Sequence, residues 1–154
     1  MSQTASLNSR IIEGLYCEAL VLSDEVRATF DLSGKSIDAG GDEDLVRIAL
    51  SCEALRATTR MMHAVAWLLN HRAYFMGELS EFQLRRHGRL ATDHPASDPD
   101  RVALLPPEAG DLIAATERFY ARLARLDREW RQRDRESPSA ILALRERLER
   151  RIAG

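Results

Sequence analysis

DEDLVRIALSCEALRATTRMMHAVAWLLNHRAYFM, residues 42–76, decides the fold. From Leu45 onward it repeats at alternating intervals of three and four: Leu45, Ile48, Cys52, Leu55, Thr59, Met62, Ala66, Leu69, Ala73, Met76. About five heptads without a slip predict one long helix, on the order of 50 Å at 1.5 Å per residue, with this seam facing partner helices. The outward positions of the same helix carry Leu50, Ala57, Ala64, Trp67, Leu68, Tyr74 and Phe75, with Met61 beside them. A helix that is apolar all round must be covered on more than one side. It is therefore expected to be the central strut of a helical bundle and to meet something beyond its own chain.

Working outward, two further helices are expected. Upstream, Ile12, Leu15, Ala19, Leu22, Val26 and Phe30 recur at the same spacing and predict a helix from about residue 8 or 9 to Phe30, with Leu20 and Val21 widening its apolar side. Gly14 lies inside it, where the missing side chain would suit a close helix contact. Residues 31–41 carry three glycines and read as a loop, after which Asp42, Glu43 and Asp44 supply a cap and negative charge for the central helix. Downstream, Gly77 is expected to break that helix before another helical turn or two over residues 78–86. Residues 88–107 contain four prolines and read as a long connection. Pro107 then opens a helix whose seam is Leu112, Thr116, Phe119, Leu123, Leu126 and Trp130, with Arg118, Arg122, Arg125, Arg128 and Arg131 on its other faces.

Ser137-Pro138 marks a boundary before a charged tail with a short stripe of Ile141, Leu144, Leu148 and Ile152. No segment alternates as a strand does, so the fold class is all-α: an antiparallel three-helix bundle over residues 1–136, then a short helix or a tail over residues 137–154.

Composition bounds the function. Of 154 residues 45% are hydrophobic and 30% charged, as in a globular domain, and the net charge of -2 argues against nucleic acid as the main partner. Residues 1–10 lack a basic region followed by an apolar core, and the most apolar window, residues 61–76, holds two histidines and an arginine, so a cytoplasmic protein that neither crosses nor binds a membrane is expected. Cys17 and Cys52 both lie in helical patterns and read as small buried hydrophobes. His63 and His71 are roughly 12 Å apart along a helix, too far to share an ion, and no HExxH or CxxC spacing occurs. No catalytic, cofactor or metal residue is expected. Exposed aromatic clusters seldom stay bare, so Met61, Trp67, Leu68, Tyr74 and Phe75 are the expected protein interface, rimmed by Arg56, Arg60 and His63.

Two stretches, LYCEALVLSDEVRATFD (residues 15–31) and SCEALRATTRMMHAVAWLLNHRAYFMGELS (residues 51–80), resemble the signature segments of the RcdA family, the alphaproteobacterial regulators of CtrA degradation. The resemblance implies a dimeric three-helix bundle that acts as an adaptor and not as an enzyme. It implies docking on a ClpXP protease primed by a CpdR-like response regulator, and tethering of cell-cycle regulators or a further adaptor as cargo. The rival expectation is a structural oligomer that scaffolds other partners.

Overall fold

The structure, a computed structural model, describes residues 7–94, 96–136 and 140–152 with the exception of residues 36–42. The described residues are helical, with no strand, in the order α1 (Ser9–Lys35), α2 (Glu43–Phe75), α3 (Glu81–His87), α4 (Pro99–Val102), α5 (Pro107–Glu136) and α6 (Ala140–Ile152). The long helices α1, α2 and α5 each pack against the other two, and α1 against α2 is the most extensive of these contacts.

The helix ends follow local chemistry. The Asn8 side chain accepts from the Ile11 amide at 3.0 Å and opens α1. That helix runs to Lys35, past Phe30 where apolar spacing ends, because DLSGK contains no residue that forbids another turn. Asp42, the expected cap of α2, lies outside the described residues. Gly77 terminates α2 as expected. Its φ of 80° is the left-handed conformation that an L side chain resists, and it lets the Glu78 amide reach back to the Ala73 carbonyl at 2.9 Å. The Ser80 side chain accepts from the Gln83 amide while the Gln83 side chain accepts from the Ser80 amide, a reciprocal capping box that restarts the chain as α3. Gly88 closes α3 so tightly that a Cβ there would lie 2.5 Å from the Leu84 carbonyl oxygen.

One core runs through the three long helices. From α1 come Ile12, Leu15, Ala19 and Val26, and from α5 come Leu112, Phe119 and Leu123, the residues that the spacing assigned to those seams. A second cluster, built from Ala49, Leu50, Leu105, Ala109 and Ile113, seals the other end of α2 against the start of α5. Two details of α1 differ from expectation. Leu20 and Val21 are exposed, and a Cβ at Gly14 would meet nothing within 4 Å, so Gly14 serves no close contact. The larger difference concerns which side of α2 faces inward.

Candidate protein-binding surface

The buried side of α2 is Ala49, Leu50, Glu53, Ala57, Arg60, Met61, Ala64, Trp67, Leu68 and His71. This reverses the expected assignment. Of the eight residues expected at an interface, Arg60, Met61, Trp67 and Leu68 are buried within the chain itself, Arg56, His63 and Tyr74 are half-buried, and only Phe75 is exposed. The physical reason lies in the small residues of that side. Ala57 and Ala64 are buried where α1 and α5 close on α2, and flank the space that Met61, Trp67 and Leu68 fill.

Polar groups on this side are held by specific partners. The Trp67 Nε1 donates to Asp127 Oδ1 on α5 at 3.0 Å, and Arg131 donates to the same carboxylate. His71 packs on Trp67 with ring centroids 4.0 Å apart and meets Trp130 edge-on at 5.3 Å. Neither of its ring nitrogens has a hydrogen-bond partner among the described residues. Burial outweighs the nearby Asp127 charge and pulls His71 down to about 4, so it is neutral in the fold at ordinary pH.

Arg56, Arg60 and His63, expected at the rim of an interface, together with Glu53 instead hold the chain's own long connection. Arg60 donates to the Thr116 hydroxyl at 2.8 Å and to Ser97 Oγ at 3.3 Å, and lies 3.5 Å from Glu117. Burial pulls its guanidinium below the ordinary value, against the opposing influence of Glu117 and Glu53. Arg56 donates to the Ala96 carbonyl at 2.9 Å, and Glu53 accepts from the Asp98 amide at 3.2 Å. From the α5 side, the Tyr120 hydroxyl donates to the Ala91 carbonyl, and burial pushes that phenol up to about 12. His94 stands edge-on to Tyr120 at 4.5 Å, with His63 at 5.9 Å on its other side. Residues 91–94 and 96–98 are thereby pinned between α2 and α5.

The expected seam is what the protein presents outward. Leu55 is 69% exposed, Met62 65%, Leu45 59% and Ile48 57%, with Leu69 and Met76 continuing the line. A groove of about 600 Å³ separates this stripe from α1 along Val26, Phe30 and Val65. A smaller one of about 270 Å³, lined by Cys52, Arg56 and His94, lies on its other side. A contiguous apolar line of this length on a surface is unusual unless something covers it.

Other chemistry is sparse. Among the described residues no group of three or more His, Cys, Asp or Glu side chains could hold a metal ion, and no helix is long and apolar enough to cross a membrane. Cys52 is half-buried and Cys17 is exposed, against the expectation that both are core residues. On α5, Arg131 is bound to Asp127 at 3.1 Å and Arg122 pairs with Glu18 of α1, so part of the arginine face ties helices together.

A family model described as "Protein of unknown function (DUF1465)" matches residues 3–152. The chain belongs to the DUF1465 family. No curated protein and no solved structure matches it. The function of this DUF1465 chain is therefore argued from its surface and its sequence. No local signal marks the stripe on α2 as surface: charged residues at 53 and 60 are in phase with the buried Trp67, and the polar side of a helix is by default the outer one, so residue type favours the opposite assignment.

Proposed function

We propose that this protein is a non-enzymatic cytoplasmic adaptor, which tethers cell-cycle regulators to a ClpXP-type protease primed by a CpdR-like response regulator. In this reading α1, α2 and α5 form an antiparallel three-helix body that acts as a dimer, and cargo or a further adaptor is captured on its surface. The observation that carries the proposal is the exposed apolar stripe on α2, Leu45 to Met76, on a body with no assembled metal-ligand group among its described residues. The resemblance of residues 15–31 and 51–80 to the RcdA signatures supplies the class of partner. Tethering raises the effective concentration of cargo at the protease, so modest contacts on two faces suffice.

The test is degradation of a candidate regulator by ClpXP with the response regulator, with and without this protein. Faster loss of cargo only when all components are present supports the adaptor. No change across several cargo proteins, with folded material, removes it and leaves the structural scaffold.

A further inference from the structure

Two arginines of α5 lack the neighbours that neutralise arginine elsewhere in the chain. Arg27, Arg47, Arg85, Arg131 and Arg145 each meet a carboxylate three or four residues away on their own helix. Arg118 has Ala114, Ala115, Ala121 and Arg122 at those positions, so its helix offers it no anion. Arg125 has Glu129 within reach but forms no ion pair with it or with any other described residue. Both side chains are exposed, and both line a groove of about 830 Å³ between α1 and α5. Leu22 and the buried Phe119 lie in the same groove, with the exposed Val21 beside them. Arg122, which falls between the two, is already engaged: it pairs with Glu18 across the groove and stands 5.4 Å over the Phe119 ring.

We propose that the groove between α1 and α5 docks an amphipathic helix of a partner protein, acidic along one edge. Arg118 and Arg125 are seven residues apart, about 10 Å along α5, which is the rise of a helix over the same interval. Carboxylates at positions i and i+7 of a helix laid along the groove therefore meet both arginines. An apolar residue at i+3 or i+4 falls on the same face and covers Val21 and Phe119. The inference does not depend on the protease reading: it adds a second binding face, across α1 from the groove beside the α2 stripe.

The opposite wall refines the partner. The helices run antiparallel, since Glu18 meets Arg122 while Phe30 packs against the cluster that holds Ala109. Glu25, exposed on α1, therefore stands toward the Arg118 end of the groove. A uniformly acidic segment would be repelled there. The fitting helix carries its carboxylates on the α5 side and a Lys or Arg on the α1 side, opposite Glu25. The same two glutamates disfavour a nucleic acid, whose phosphates would lie against both walls, and the chain as a whole has no basic excess.

Selection of a displayed library of helical peptides on the full chain, with Asp, Glu, Lys, Leu and Ala allowed at each outward position, tests this preference directly. Enriched sequences should carry acidic residues at i and i+7 around a leucine. A fluorescein-labelled peptide of the enriched sequence should bind the double variant Arg118→Glu, Arg125→Glu about tenfold or more weakly by anisotropy. Both positions are exposed, so circular dichroism of the variant should be unchanged. The same peptide with lysine in place of its acidic residues should prefer the variant to the parent. A selection that yields no sequence, or only apolar or basic ones, overturns the proposal. So does a peptide that binds parent and double variant equally, or one displaced instead by Met62→Asp on the α2 stripe. A labelled single-stranded oligonucleotide that binds the parent and is lost from the double variant would show a phosphate site and overturn it too. Peptide binding without any effect on proteolysis would sink the adaptor and spare this groove; cargo delivery with no acidic helix selected would do the reverse.

Discussion

Acid should destabilise this protein through a single buried ring. His71 is neutral, packed on Trp67 and against Trp130, and faces the charged groups Asp127 and Arg131. Its proton affinity in the fold, about 4, lies below the ordinary 6.5, so the unfolded chain binds the proton that the folded chain refuses. The sign follows: the stabilising contribution is complete above pH 6.5 and is lost as the pH falls toward 4. The full gap is worth about 3 kcal/mol, of which about 2 kcal/mol falls between pH 7 and pH 5. Urea unfolding at both pH values and one protein concentration measures it. In His71→Leu, which removes the titrating group and the two unpartnered nitrogens, the loss of stability between pH 7 and pH 5 should shrink by about 2 kcal/mol. An unchanged loss in the variant would show that another group carries the dependence, and that His71 accepts its proton without opening the core.

Other perturbations have equally definite expectations. Gly14→Ala, exposed and without a neighbour, should raise stability by about 0.5–1 kcal/mol in chemical denaturation, because only backbone freedom of the unfolded chain is lost. Gly88→Ala should lower it by about 1–3 kcal/mol, because the new methyl collides with the Leu84 carbonyl oxygen. Thr116→Val leaves Arg60 without its 2.8 Å acceptor and should cost about 1–3 kcal/mol, with faster amide exchange over residues 91–94 and 96–98 as the local sign. Trp67→Phe strips Asp127 of its indole donor and leaves part of the indole volume empty in the core, and should cost about 2–4 kcal/mol in thermal melts.

The sequence showed the helices more clearly than the sides they turn inward. The seams of α1 and α5 were legible because each has one apolar stripe, and Ile12, Ala19, Phe119 and Leu123 are buried as their spacing implies. Pro107 and Gly77 marked real boundaries because they act through backbone geometry, which tertiary packing does not override. The Ser80–Gln83 capping box carries the S-x-x-Q spacing that marks a helix start in sequence as well as in structure. On α2 two apolar stripes compete, and periodicity does not rank them. The inner one was disguised by Glu53, Arg60 and His71, which residue type alone assigns to the surface. What reverses that assignment is a set of partners far along the chain, Thr116, Asp127 and residues 91–94 and 96–98, which no local pattern on α2 could supply.

The pinned connection between α3 and α5 has a consequence for turnover. A proline- and aspartate-rich stretch of this length is ordinarily where a protease nicks a chain, since cleavage needs several residues drawn out straight. Here the Ala91 and Ala96 carbonyls, the Ser97 side chain and the Asp98 amide are all engaged by groups on α2 or α5. Drawing that stretch out means breaking several of these bonds at once and uncovering the Arg60 charge. A segment whose composition suggests slack is a taut splice, and the chain offers a hydrolytic enzyme little to grip along it.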